Sequence, residues 1–382
     1  MTRLIEILIS LAIVAALFLV VAMVLPSSRH LNASVETNRK VTIVYDTLNS
    51  LRRFEDWNAL ARRDPGMELK LSGPPEGVGA RMDYSSENSQ VGSGSWEIVE
   101  SVPNESVTYA ITNNQRGSDK RMTFSIKPTG RGGRNVEITQ NYDVKYGMNL
   151  LGRYAGLYVS RHVGDDMDLG LQKMSNMLAS VPNVDYRVPG SKLTGFKTVE
   201  IPAEHLLVVS AGSIDRDNEK IKAAMKADME WIKRTMDASG LAVAGPLRII
   251  STELARETYT FDVVQPVRSS GAADAADAAD SEDGDDEDDQ VVVATPAPAA
   301  DAPLRNLKLQ GPVKYVRTEP TRVATASFTG YMAELENVRN ALRAWAMTQD
   351  HEATDRPYEV YKNGIDKAFT AEGQYDIYWI LK

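Results

Sequence analysis

Between Phe196 and Lys382 one pattern is written twice: an alternating strand ending near a glycine, a Trp-bearing amphipathic helix, a Pro-led strand, and an aromatic strand carrying an acid. Such a repeat restricts the region to two copies of one β-α-β-β unit and predicts a pseudo-symmetric ligand-binding module. The first copy runs through Val199–Pro202 and Leu206–Gly212, a helix over 218–238 around Trp231, and strands at Pro246–Ile250 and Tyr259–Pro266. The second runs through Val316–Pro320 and Arg322–Tyr331, a helix over 332–348 around Trp345, and strands at Pro357–Asn363 and Tyr375–Leu381. Ile221, Met225, Met229, Ile232 and Met236 recur at helical spacing, as do Leu335, Val338, Leu342 and Trp345, whereas the flanking segments alternate as strands do.

The rest of the chain divides by composition. Ile7 to Leu25 is an apolar run of nineteen residues broken only by Ser10, long enough to span a bilayer, and is read as a signal anchor over 1–28. A cleaved signal peptide has a shorter core and a small-x-small site close behind it. The expected setting is a bacterial inner membrane crossed once, with the bulk of the chain leaning to the periplasmic side. Residues 34–181 form an α+β domain: a short strand at 34–37 and 41–43, a helix over 43–59, six strands between Glu68 and Lys145, and a long helix over 149–180. A Pro/Gly-containing connector occupies 182–195, and 196–382 is the duplicated domain. The fold class is therefore α+β throughout, an anchor followed by an antiparallel sheet with a long C-terminal helix and then the duplicated unit.

Charge is unevenly placed. Residues 269–303 hold eleven Asp and Glu and no Lys or Arg, so without that tract the formal net charge of −9 becomes +2. Its Ala-Ala-Asp repeats and acidic block predict a disordered insertion between the two copies. The folded parts carry no basic stripe with interleaved aromatics, so nucleic acid is not an expected partner. No Cys is present, which removes disulfides, thiolate nucleophiles and Cys-based metal sites. His30, His162, His205 and His351 lie on separate elements with no metal-ligand spacing, and neither a Gly-x-Ser-x-Gly elbow nor a phosphate-cradling Gly-Lys-Ser/Thr loop occurs. Gly130–Gly133 reads as a hairpin turn, since no helix follows it. No metal and no cofactor are expected, and no protein partner is indicated.

Candidate site residues fall in two groups. In the first domain Trp57, Trp96, Tyr142 and Tyr158 line a space between sheet and long helix, or simply fill a core; Arg153, Arg161 and His162 place charge at its mouth or on a solvated face. In the second, Tyr331, Trp345, Tyr358, Glu359, Tyr361, Asp376, Tyr378 and Asp262 supply aromatic faces and carboxylates suited to a flat apolar molecule or an organic cation. Trp345 and Trp231 serve equally as helix-to-sheet anchors, and Glu359 and Asp376 must be exposed, paired or functional, because a buried unpaired acid is costly. The second copy holds most of these polar candidates, which predicts one asymmetric site.

The first domain resembles the START-like superfamily of polyketide cyclase/dehydrase and lipid-transport type. The resemblance is carried by Val44–Leu48 with Phe54–Asn58, Gly77–Ala80, the Gly92–Glu100 segment containing Trp96-Glu97-Ile98, and Val163–Asp166 running to Gly170–Met174. The duplicated domain resembles the GyrI-like effector-binding family, through Phe328–Tyr331, Trp345, Pro357–Tyr361 and Tyr375–Tyr378, and in the first copy Phe261–Val267. These resemblances imply binding of small hydrophobic or aromatic molecules or lipids, in a cleft with aromatic walls and an acidic floor. Asp262 and Asp376 stand where that family usually has Glu. A membrane-tethered binding protein is the leading expectation. An enzyme of cyclase, dehydratase or hydrolase type, with Glu359 and Tyr331 as an acid-base pair, is the alternative, and a structural protein with filled pockets is the third.

Overall fold

A computed structural model describes residues 2–188, 190–254, 257–270, 302–354 and 356–382. Most of the acidic tract, 271–301, lies outside the described residues. The chain divides into two compact units, Met1–Asp185 with Thr348–Asp350 and Tyr186–Met347 with His351–Lys382. It is mixed α+β, built on two antiparallel sheets.

The first unit opens with helix α1 (Thr2–Val24), whose apolar side chains are almost all exposed. Arg3–Val24 is long and apolar enough to cross a membrane. Strand β1 (Ser28–Thr37) follows directly, so the strand expected only at 34–37 is ten residues long and begins where the anchor was expected to end. Strands β2 (Glu68–Ser72), β3 (Arg81–Ser85), β4 (Ser93–Val102), β5 (Ser106–Asn113), β6 (Ser118–Thr129) and β7 (Asn135–Lys145) complete a seven-stranded sheet in the order β1-β7-β6-β5-β4-β3-β2.

The helix expected over 43–59 is three short pieces, α2 (Val41–Leu48), α3 (Phe54–Trp57) and α4 (Ala59–Arg63), and Val41–Ile43 is helical rather than extended. Polar residues set the breaks. Asn49 caps α2, and the Asn58 side chain turns back to accept the Leu60 N–H, starting α4. The long helix is also interrupted: α5 (Leu150–Ala155) is followed by a π-helical turn at Ser160–Gly164 before α6 (Asp165–Ser180). The Asn149 side chain starts α5 by accepting the Gly152 N–H. Helix α6 carries Asp165, Asp166 and Asp168 in its first turn, where carboxylates suit the helix dipole, and buries Met167, Leu171, Met174 and Leu178.

In the second unit the sequence periods give the elements closely. Strands β8 (Leu193–Ile201) and β9 (His205–Asp215), helix α7 (Asn218–Ser239), the short β10 (Leu241–Val243), β11 (Arg248–Leu254) and β12 (Thr258–Ser269) form the first copy. Strands β13 (Lys314–Arg317) and β14 (Thr321–Thr329), helix α8 (Leu335–Thr348) after a 3₁₀ turn, strand β15 (Tyr358–Tyr361), the short α9 (Gly364–Ala368) and β16 (Gln374–Ile380) form the second. Strand β8 starts inside the span expected to be a connector. Helix α7 is bounded by an Asp217 side chain accepting the Lys220 N–H and by Gly240 at φ 62, a left-handed cap that a side chain would strain.

The sheet order is β13-β9-β12-β11-β15-β16-β14-β8, with β10 on β12. Its two halves mirror each other about the β11/β15 pair, where Ile249 faces Glu359. The leading strands are exchanged: β8 of the first copy pairs with β14 of the second, and β13 of the second pairs with β9 of the first. Neither copy therefore completes its own half of the sheet.

Candidate functional site

The first unit places Trp57 and Trp96 together at the end of a cavity of about 80 Å³ between the sheet and α6. Five rings fix this end in edge-to-face contacts: Trp57 meets Phe54 at 5.4 Å, Trp96 at 6.3 Å and Phe124 at 5.5 Å, while Trp96 meets Tyr109 at 5.6 Å. Tyr109 donates to the Leu48 carbonyl and so ties the cluster to α2. Met122, Gln140 and Tyr142 line the sheet side, and Asn58, Asp166, Met167 and Gly170 the helical side.

Two polar atoms in this lining are unmet. The Trp57 indole Nε1–H and the Gln140 Oε1 are buried and have no hydrogen-bond partner among the described residues, on side chains only 2% and 4% exposed. The Gln140 amide spends its Nε2 on the Met122 sulfur at 3.1 Å, which leaves its oxygen directed elsewhere. Buried groups of this kind are normally paired, so this donor and this acceptor, both on residues that line the cavity, are exceptions to the rule. Near them Asp166 accepts from the Arg63 Nη2 at 2.6 Å. Burial raises the Asp166 carboxyl above the ordinary carboxylate value, with Arg63 opposing. An acid held above its unfolded value makes the folded state bind more protons in that window, so its contribution to stability is present at low pH and is lost as pH rises through the raised value. Asp166→Asn is expected to flatten the dependence of thermal midpoint on pH between the ordinary value of 3.8 and the raised one.

Of the other first-unit candidates, Tyr142 lines the cavity and burial raises its phenol. Tyr158 does not line it: it stands 61% exposed in the turn after α5. Arg153 does not put charge at the mouth, because its guanidinium donates to the Ala22, Met23 and Leu25 carbonyls at the end of α1. Alternation could not reveal Gln140, nor buried Lys120, whose Nζ donates to Asn113 Oδ1 and the Gln115 carbonyl at 2.6 Å each and whose pKa burial lowers.

The second unit separates the expected site residues onto two faces. The register puts Asp262, Arg248, Ile250, Tyr358, Tyr378 and Asp376 on one face of the sheet. On this face a cavity of about 110 Å³ is walled by Leu206, Val264, Ile250, Val323 and Ile380 and covered by the loops after β8 and β13. These loops are joined by reciprocal bonds, Glu204 N–H to Thr318 Oγ1 and Thr318 N–H to the Glu204 carbonyl, each 2.9 Å. The charged pair of the cavity is Glu204 with Arg248, two parallel hydrogen bonds of 2.6 Å, and Arg248 also sits 5.3 Å over the Tyr358 ring, which stacks on Tyr378 at 4.8 Å. Both residues of that pair come from the first copy, where few polar candidates beyond Asp262 were expected.

Glu359 and Tyr361 point to the opposite face. Glu359 is completely buried and accepts twice from Arg339 of α8, through Nε and Nη2. Tyr361 packs edge-on to Tyr375, and its hydroxyl is buried without a partner among the described residues. Trp345 packs on Phe196 at 5.6 Å as a helix-to-sheet anchor. Tyr331 is half-exposed at the start of the 3₁₀ turn. The acid-base pair expected from Glu359 and Tyr331 is therefore not assembled, because alternation along β15 turns Glu359 into the helix-covered core. Asp376 lies on the cleft face but is engaged by Ser327 Oγ at 2.6 Å and by Lys362 at 3.5 Å. Asp262 is partly buried on the same face, outside the cavity lining. Among the described residues there is no cluster of His, Asp and Glu that could hold a metal ion.

No protein-family model matches the chain, and no curated protein matches it. Among solved structures, the chain is similar to the EcmrR C-terminal domain at 15% identity, covering 50% of this chain and 98% of that one with a TM-score of 0.34. It is also similar to norcoclaurine synthase from Thalictrum flavum in complex with dopamine and hydroxybenzaldehyde, at 12% identity over 39% of this chain and 87% of that one, TM-score 0.30. An EcmrR–DNA complex is similar at 16% identity over 62% of this chain and 72% of that one, TM-score 0.34. The expectation that nucleic acid is not a partner stands on charge distribution alone.

Proposed function

We propose that the chain is a membrane-tethered binding protein for small, neutral, largely apolar or aromatic molecules, with the cavity of the first unit as the principal site. The observation that carries this reading is the pair of unpartnered polar atoms, Trp57 Nε1–H and Gln140 Oε1, on residues lining a cavity whose aromatic and apolar side chains are joined by Asn58, Asn113, Gln115 and Asp166. A ligand bearing one acceptor and one donor on an apolar body meets both. The cavity is about half the ~150 Å³ of an apolar cavity that accepts benzene, so it takes in one end of such a molecule and leaves the rest outside. The second-unit cavity takes the same chemical class. Its buried charges, Glu204 and Arg248, are paired with each other, and Glu319 at its rim is paired with Arg317, so it favours a neutral apolar ligand over an organic cation. The exposed apolar surface of α1 supports single-pass anchoring in a bacterial inner membrane. The folded units are placed on its periplasmic side, in keeping with a chain that has no thiol to oxidise.

Gln140→Leu tests the reading. Leu keeps most of the volume and removes an unpaired buried oxygen, so the empty protein is expected to gain about 1–2 kcal/mol. For a unit of this size the thermal midpoint rises about 2–4 °C per kcal/mol. Binding of any ligand found by thermal shift on the full-length protein is expected to weaken about tenfold. A lower midpoint together with unchanged ligand affinity would remove Gln140 from the site and with it this assignment.

A further inference from the structure

We infer that the segment Met148–Tyr158 is a second membrane-contacting element, which lies in the bilayer interface beside the C-terminal half of α1. The inference rests on the reading of α1 as a membrane span. Three observations carry it.

The first is attachment. Tyr154 stacks on Phe18 with ring centroids 4.3 Å apart and donates its hydroxyl to the Phe18 carbonyl at 2.9 Å. Phe18 lies six residues before the end of α1 at Val24, about 9 Å along the helix axis at ~1.5 Å per residue. An element bonded at that depth runs alongside the span, not beyond it. Arg153 fixes the other side by donating to the carbonyls of Ala22, Met23 and Leu25, groups that a helix end leaves without intrahelical partners.

The second is surface. Met148, Leu151, Leu157 and Tyr158 are 77%, 54%, 46% and 61% exposed, a concentration of large apolar side chains continuous with the exposed apolar surface of α1. The third is charge. Between Asp143 and Asp165 the sequence contains Lys145, Arg153, Arg161 and His162 and no Asp or Glu; Lys145 is paired with Asp119 and Arg153 with the carbonyls of α1, which leaves Arg161 and His162 as the basic groups beside the segment. Apolar side chains, two tyrosines and an arginine with no acid within the segment form a composition that rests at the boundary of headgroups and acyl chains, where a tyrosine keeps its ring in the apolar layer and its hydroxyl wet. The contact is with lipid, and it holds the first unit against the membrane at a fixed tilt instead of leaving it to swing on α1.

The chain's lack of cysteine makes the test direct. Single-cysteine variants Leu151→Cys, Leu157→Cys and Tyr158→Cys of the full-length protein carry a small fluorophore in phosphatidylcholine vesicles containing chain-labelled nitroxide lipid. Val14→Cys in α1 reports the span, and Glu105→Cys, in the turn at the end of the sheet opposite Lys145, reports water. Quenching by the nitroxide lipid at 151, 157 and 158 is expected to be several-fold above that at 105 and to approach that at 14. Strong quenching at 14 with aqueous behaviour at 151, 157 and 158 overturns the inference alone. Aqueous behaviour at 14 overturns it together with the reading of the anchor. Labels at 151, 157 and 158 shielded from both lipid and water report a protein contact and also overturn it.

Discussion

Glu359→Gln is expected to destabilise the second unit by about 3–5 kcal/mol, enough to unfold a domain of ordinary stability, because it leaves the Arg339 guanidinium buried without a countercharge. The geometry explains the size. Glu359 is fully buried, both its oxygens accept from Arg339, and Trp379 Nε1 donates to the Arg339 carbonyl, so neither side chain can swing out without opening the contact between α8 and the sheet. Replacing both partners, Arg339→Met with Glu359→Leu, is expected to recover most of the loss, since well-packed apolar groups of similar volume often match a buried pair. Denaturant unfolding of the single and double variants measures this directly. If Glu359→Gln leaves the unfolding midpoint in place, the pair is not the structural element described, and an active role for the carboxylate returns to consideration.

The exchanged strands predict the second large effect. The segments 186–270 and 302–382, made as separate chains, are each expected to lose all cooperative unfolding, and the mixture to regain it. Alone, the first segment exposes the edge of β11 from Arg248 to Ile250 and the edge of β9 that β13 covers, and its own β8 has no partner. The second has the mirror-image deficits. Mixing restores every pairing without a covalent link, because the copies are joined in the sheet by hydrogen bonds from both leading strands. A cooperative transition in either segment alone would contradict the exchange.

Much of the architecture was legible in the residues. Period-two alternation placed β2, β7 and β16 to within a residue and β12 to within three, and the 3.6-residue recurrence of Ile221, Met225, Ile232 and Met236 found α7. The broken helices were harder, because apolar spacing continues across Asn49, whose side chain accepts from Ser101 Oγ, and Asn58, whose side chain accepts the Leu60 N–H and starts a new helix. The face of Glu359 was in principle readable, since Tyr358 and Glu359 must point to opposite sides of β15. Its partner was not, because Arg339 lies one element away and nothing in a helical pattern distinguishes a solvated arginine from a buried one. Glu204 and Arg248 were missed for the same reason at longer range: their pairing depends on the fold of the loop after β8, not on spacing. Trp57 and Trp96 were legible as aromatic candidates for one cavity, but the unpartnered Trp57 Nε1–H and Gln140 Oε1 appear only when every buried polar group is accounted for.

In the proposed function, Trp57 Nε1–H and Gln140 Oε1 together hold the ligand. Following the Trp57 indole N–H resonance of the ¹⁵N-labelled protein through a titration with small phenols, amides and hydroxy-ketones tests it most directly. The indole proton is expected to move downfield with compounds that carry an acceptor, saturably, and in Gln140→Leu to need about tenfold more of those compounds that also carry a donor. An indole resonance that no compound shifts, or one whose titration curves are identical in Gln140→Leu, would contradict the assignment.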